Sequence, residues 1–239
     1  SHDEAKIMRL STESEDARNG FNTGRWRLYN LEWENAYKAF SYAIEQDPNF
    51  ALAYAMRART SFFLGNQGDI ADDLDIAVSM SLNASKDESD MINAMANDME
   101  NGTTSFNLLM EALADKHSDD SFLAFETVFA TLSDRGADVV LDRAKALYAM
   151  NPNFTPALNM MGYAYMDKGD LDNAGKMLQE QVRRSSGSAN PYDSMGDYYL
   201  AIEDNVSALK YFEQSAKMGL KASVAKADSL KAQLDKESE

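Results

Sequence analysis

The chain has 239 residues, and its 39 acidic against 23 basic side chains give a net charge of −16, which repels phosphate backbones and anionic membrane surfaces and argues against nucleic acid as a partner. It holds no cysteine, so disulfides, thiolate nucleophiles and zinc–thiolate sites are excluded together, while the redox compartment stays open. No apolar run reaches the roughly 18–20 residues that a membrane-spanning helix needs, and a content of only four prolines fits a mostly helical chain, since proline costs about 3 kcal/mol inside a helix.

Residues 1–10 lack the apolar core of a signal peptide and are expected to be disordered. Ser1-His2 looks like a scar left by tag removal, which implies that a natural N-terminus, with any signal or lipid anchor, was trimmed. Thr12-x-x-Glu15 reads as a capping box opening the first helix. From there a period of 34 residues organises the chain. The first two repeats, 17–50 and 51–84, align through Ala36, Phe40 and Ala43 against Ile70, Leu74 and Ala77. Residues 85 and 86 are a small insertion. The third repeat, 87–120, carries Ala94, Phe106, Met110 and Leu113, with Ser85-x-x-Glu88 as a capping box at its entry. The fourth, 121–154, runs through Ala144 and Leu147 to the stop signal Asn151-Pro152.

The clearest pair is 155–188 and 189–222. Leu158, Met161, Gly162, Tyr165, Asp170, Ala174 and Leu178 recur one period later as Tyr192, Met195, Gly196, Tyr199, Asp204, Ala208 and Phe212. Their first helices keep apolar residues on one face. Gly169-Asp170 and Glu203-Asp204 stand where the chain must reverse, aspartate capping the next helix. Gly162, Gly196, Ala174 and Ala208 lie where paired helices would cross most closely. A capping helix, 223–236, follows, with an apolar stripe at 224, 227, 230 and 234; stacked units need one because the last repeat would otherwise expose its apolar flank.

Met161-Gly162-x-x-Tyr165, Asn173-Ala174 through Leu178, and their echoes Met195-Gly196-x-x-Tyr199 and Ser207-Ala208 through Phe212 resemble the tetratricopeptide repeat. The resemblance covers 17–222, with a non-consensus third unit and Gly20 where a bulky residue is usual. It implies an all-α fold: a right-handed solenoid of about six helix-turn-helix repeats plus the terminal helix, forming a single domain over 11–239. More narrowly, the run from Ser11 through Ala53 and the run Asn190 through Gly196 look like secreted or envelope-associated tetratricopeptide proteins of Bacteroidetes-type bacteria. This implies a periplasmic, envelope or secreted location, with the cytoplasm as the alternative.

In this family the inner wall is built from first-helix residues that packing does not consume. The repeat frame then predicts Arg18, Phe21, Arg25 and Tyr29 from the first unit, Leu52, Arg59, Phe62 and Phe63 from the second, and Met91, Met95 and Met99 from the third. Phe122, Phe125, Phe129, Tyr163, Met166 and Asp193 come from later units. As partner-binding residues we single out Arg25, Tyr29, Arg59, Phe62, Phe63, Met95, Phe125, Phe129, Tyr163 and Met166. Aromatic and methionine side chains offer large, adaptable contact areas, and the arginines would catch a carboxylate. The other reading is that these side chains pack between neighbouring helices. The two-lysine, two-asparagine clamp by which some family members grip acidic tails is not reproduced.

The resemblance implies a non-enzymatic module that holds a protein or peptide segment in a concave groove, as a monomer or weak homodimer. The alternative is a carrier of a small apolar or lipid-like ligand. No cofactor or metal is expected. His117, beside Asp115 and Asp119, reads as a solvated turn residue rather than a catalytic base. Asp170 and Asp172 before Gly175 lack the ladder and closing glutamate of a calcium loop and read as helix caps.

Overall fold

The structure is a computed structural model that describes residues 5–132 and 136–237. Among the described residues there are thirteen α-helices and no strand. They run α1 (Glu15–Tyr29), α2 (Trp33–Gln46), α3 (Ala51–Leu64), α4 (Gln67–Met80), α5 (Lys86–Asn101), α6 (Ser105–Lys116) and α7 (Ser121–Ala130). Next come α8 (Gly136–Met150), α9 (Pro156–Asp167), α10 (Leu171–Arg184), α11 (Asn190–Ala201), α12 (Asn205–Lys217) and α13 (Lys221–Glu237). Two compact units result, residues 1–127 and 128–239, the boundary falling inside α7.

The helix starts follow from short polar side chains that accept otherwise orphaned backbone N–H groups. Asp170 and Asp204 take the amides of Asn173 and Ser207, so these aspartates are helix caps. Ser85 and Glu88 close a reciprocal capping box on α5. At α1 the expectation needs correction: the cap is Ser14, which accepts from the Ala17 amide. Thr12 is drawn away because its hydroxyl donates to Asp47 at 2.5 Å. Glu203 turns the chain with φ +62° without being glycine, where the equivalent residue is Gly169.

Close crossings explain the small residues. A Cβ on Gly162 would stand 2.4 Å from Leu178, and one on Gly196 2.4 Å from Phe212. In the first repeat the same separation recurs between Gly24 and Phe40, where the added Cβ would meet the ring at 2.5 Å. Gly20, out of line with the consensus, lets α2 approach as well, since its Cβ would press on Tyr42 and on backbone at Ala43.

In the first unit the core gathers Phe21, Phe40 and Phe50, with Phe21 ring centroids 5.6 and 4.9 Å from the other two, together with Leu52, Met56, Ile92, Met110, Leu123 and Phe125. In the second, Val128, Val140, Leu141, Ala144, Leu158, Met161 and Ala164 form one cluster. Ala208 and Phe212 form another with Ala227 and Leu230 of α13, so α13 covers the apolar flank of α12. Within the expected stripe Val224 is 45% exposed, and Ser223 is buried instead.

The expected disorder of residues 1–10 does not hold for residues 5–10. Met8 and Leu10 are buried. The Met8 amide donates to Asp120 at 3.2 Å, the Asp119 amide to the Lys6 carbonyl at 2.9 Å, and the Ser11 amide to Glu88 at 3.0 Å. The Ser1-His2 scar lies outside the described residues, as do residues 133–135 of the fourth repeat.

Candidate functional site

In the first unit α7 meets α1 and α3, and the predicted inner-wall residues Arg25, Tyr29, Arg59, Phe122 and Phe125 are engaged there. Glu126 of α7 is buried and accepts from Arg59 twice, Nη1 to Oε1 at 2.5 Å and Nη2 to Oε2 at 3.0 Å, and from the Tyr29 hydroxyl at 2.6 Å. Burial lowers the Arg59 pKa and Glu126 outweighs it, leaving the group firmly charged; burial and then Glu126 push the Tyr29 hydroxyl well above its usual range. Tyr29 also meets Phe125 with ring centroids 4.6 Å apart.

Arg25, likewise buried, donates to Asn22 at 2.6 Å and lies over the Phe122 ring at 3.9 Å and the Phe21 ring at 4.9 Å. Arg18 donates to the Thr12 carbonyl at 2.7 Å. The three arginines expected to catch a carboxylate are therefore engaged inside the unit. Met91, Met95 and Phe125 are buried, while Met99 alone of the methionine stripe is accessible.

His117 also departs from expectation. It is 4% exposed, with Nδ1 facing the Ala5 carbonyl at 2.6 Å and Nε2 facing Asp87 at 2.8 Å. Both ring nitrogens thus face an oxygen acceptor. Burial pushes the Asp87 carboxyl up, but hydrogen bonds from His117 and Lys116 outweigh it and hold the group below its usual range. The residue is a tie for the N-terminal segment.

What remains open is a groove of about 1350 Å3 between the α3–α4 pair and α5. It is lined by Arg59, Phe62 and Phe63 at the end of α3, by Ile70, Leu74 and Val78 of α4, and by Asn93, Ala96, Asn97 and Met99 of α5. Phe62, Val78 and Met99 are 57%, 39% and 38% exposed. Phe63 is fixed by stacking on Trp33, centroids 5.6 Å apart. The groove exists because α4 packs on α5 much less extensively than α2 packs on α3: the 3-10 turn Ser81–Asn83, with Ala84 and the cap Ser85, separates the two helices. Asp98, on the α5 side, folds back on α6, accepting from the Thr103 and Ser105 hydroxyls at 2.5 and 2.6 Å and from the Ser105 and Phe106 amides at 2.8 Å each.

The predicted residues therefore divide. Arg59, Phe62 and Phe63 meet at this groove, whereas Arg25, Tyr29, Met95 and Phe125 lie in the interior of the same unit. Ile70, Leu74 and Val78 were not among the predicted binding residues, although their spacing by four marks a stripe on one helix face; the repeat alignment had assigned the first two to packing.

In the second unit Phe129 and Met166 are partly buried. Tyr163, also partly buried, donates to Asp197 at 2.6 Å, and burial followed by that carboxylate pushes its hydroxyl well above the usual range. Lys226 of α13 reaches Asp197 at 2.9 Å and Asp193 at 2.8 Å, and Ser223 donates to Asp193 at 2.6 Å. These contacts pin the terminal helix. Among the described residues no group of three or more His, Asp or Glu is placed to hold a metal ion.

No family model matches the chain, and no curated protein matches it in sequence. Solved structures do. A tetratricopeptide repeat protein from Parabacteroides merdae superposes with a TM-score of 0.59 at 13% identity, over 92% of this chain and 84% of that one. The human IFIT1 dimer with PPP-AAAA gives 0.63 at 11% identity, over 93% and 56%. The APC/C hetero-tetramer Cut9–Hcn1 gives 0.55 at 14% identity, over 91% and 43%. The chain thus spans about half the length of the last two. At such identities the likeness is one of fold: this is an all-α, tetratricopeptide-type helical repeat. Among the described residues no helix is long and apolar enough to cross a membrane.

Proposed function

We propose that the protein is a non-enzymatic interaction module and that the groove between α3–α4 and α5 receives a segment of a partner protein. One observation carries this: Phe62, Val78 and Met99, three large apolar side chains left in solvent, converge on a single groove. Contiguous exposed apolar surface mostly marks interaction sites in soluble proteins, and covering it is worth about 25 cal/mol per Å2. The likeness in fold to a protein that assembles as the Cut9–Hcn1 hetero-tetramer supports the same class of activity. His117, with both ring nitrogens engaged, is committed to structure, which argues against a catalytic base. The inner wall expected from the repeat frame is a weaker candidate in the first unit, where α7 fills it. An extracytoplasmic location, suggested by the resemblance of the Ser11–Ala53 and Asn190–Gly196 runs, belongs to this proposal.

The test is selection of a random-peptide library on the immobilised protein, followed by affinity measurement on Val78→Asp/Met99→Asp. Both positions are exposed, so helicity should be unchanged. Selected peptides are expected to bind the double variant at least about tenfold more weakly, about 1.4 kcal/mol. Equal binding to both proteins would place the site elsewhere. A small apolar molecule retained by protein from its native host, and lost in the double variant, would favour the carrier alternative.

A further inference from the structure

We infer that the occupant of this groove is an amphipathic helix of about two to three turns whose apolar face is flanked by lysine or arginine; this rests on the groove reading above. The first reason is the shape of the walls. Ile70, Leu74 and Val78 stand four residues apart on α4, a ridge of the kind that interdigitates with the ridge of another helix. The groove lies where α4 and α5 would otherwise close on each other. A two-turn helix, about 10 Å across and about 11 Å long, displaces on the order of 1000 Å3, comparable with the space of about 1350 Å3.

The second reason is the hydrogen-bonding inventory. An extended peptide leaves backbone N–H and C=O groups that need partners when buried. The groove is lined by helices whose own backbone groups are paired, and the side-chain amide nitrogens of Asn93 and Asn97 that could grip a strand already donate elsewhere. Asn93 donates to the Ser89 carbonyl at 2.9 Å, and Asn97 donates to Thr103 at 2.9 Å while accepting from Asn101 at 3.0 Å. A helix brings its backbone already satisfied.

The third reason is charge. Asp75, Asp98 and Glu100 line the groove against a single cation, Arg59, which is neutralised by Glu126 at 2.5 Å. The Asp98 carboxyl, pushed up by burial but held down more strongly by Ser105, Thr103 and two backbone amides, stays below the usual carboxylate range and ionised. Acidic rims favour cationic partners. A second copy of this chain, at net charge −16, meets repulsion instead.

The probe is a stapled peptide of about 11 residues, three turns, the staple holding a helix that would be marginal alone at that length, with leucine and phenylalanine on one face and lysine beside them. It is compared with a version carrying glutamate for lysine and one with a central proline and no staple. The basic helix is expected to bind at least about tenfold more tightly than either control, and Asp75→Lys/Glu100→Lys, both exposed, should reduce or reverse the preference over the glutamate peptide. Equal binding of the lysine and glutamate helices, lost in Val78→Asp/Met99→Asp, would overturn the charge assignment and leave the groove standing. Proline-peptide binding equal to that of the helix, or failure of every peptide, would overturn the helical occupant. Binding that survives Val78→Asp/Met99→Asp would sink the groove reading itself. A dimer of the parent protein abolished by that same variant would assign the groove to a second copy.

Discussion

The two units hide their buried polar groups in different ways. In the second, hydrogen bonds run between neighbours about one repeat apart: Tyr163 to Asp197, Asn159 to Ser194 at 2.6 Å, Ser223 to Asp193. In the first, Glu126 gathers Tyr29 and Arg59 from 97 and 67 residues away. A polar ladder between adjacent repeats is a property of the repeat and can be extended indefinitely. A knot that joins the first, second and fourth repeats closes its unit.

The largest test of this difference is Glu126→Ala. It strands the half-buried Arg59 guanidinium and the buried Tyr29 hydroxyl without their acceptor, and removing one partner of a buried pair costs about 3–5 kcal/mol, an upper bound for this one. Both tryptophans, Trp26 and Trp33, are in the first unit, so fluorescence reads that unit alone. The fluorescence midpoint in urea should fall well below that of the parent. A fluorescence midpoint unchanged within error would mean that the knot does not hold the unit. Arg59→Met/Glu126→Met, which removes both charges, should recover part of the loss.

Gly196→Ala ranks next and probes the regular unit. The new Cβ would sit 2.4 Å from the Phe212 ring, an aromatic that cannot fold aside as an aliphatic tip does. Overpacking costs about 1–3 kcal/mol, against which alanine returns at most about 1 kcal/mol of helix propensity. Net destabilisation detected by circular dichroism, with the tryptophan signal unmoved, is the expected pattern. A stabilised Gly196→Ala would show that α11 and α12 do not need this close approach.

The period of 34 made the helix pairs and their caps legible because packing between a helix and its next neighbour is what the period encodes. Gly162 and Gly196 could be placed at close crossings from the residues alone, and so could Asp170 and Asp204 as caps; the partners Leu178 and Phe212 came from the structure. Curvature is not in the period. That Glu126 would find Arg59, that Arg25 would lie on Phe122, and that His117 would hold Ala5 and Asp87 all depend on how several small inter-repeat rotations accumulate. Thus Phe62 and Phe63 were recognised as candidates for contact, while Tyr29 and Phe125, identical in sequence logic, proved to be interior. Thr12 misled for a related reason: its capping pattern was sound, but Asp47, a full repeat away, competed for the hydroxyl.

Acid offers the finest comparison. Asp87 and Asp98, both in the first unit, have folded-state pKa values held below the ordinary value near 3.9. A group depressed in this way contributes stability that is fully present above its unfolded pKa and is lost as pH falls through the folded one. Below about pH 4, therefore, the ties of Asp87 to His117 and of Asp98 to the start of α6 should loosen. Asp170 and Asp204, half-buried caps in the second unit, are depressed by Asn173 and Ser207 and lose their contribution in the same direction. The units differ in what each carboxylate holds. Protonating Asp170 frees one helix start, whereas protonating Asp87 weakens the contact that holds His117 and with it the tie to Ala5 at the start of residues 5–10. Limited proteolysis of the N-terminal segment should accelerate as pH falls below about 4, and Asp87→Asn should produce the same acceleration at neutral pH. If that variant leaves the segment protected at neutral pH, the backbone bonds from Met8 and Asp119 suffice without the histidine.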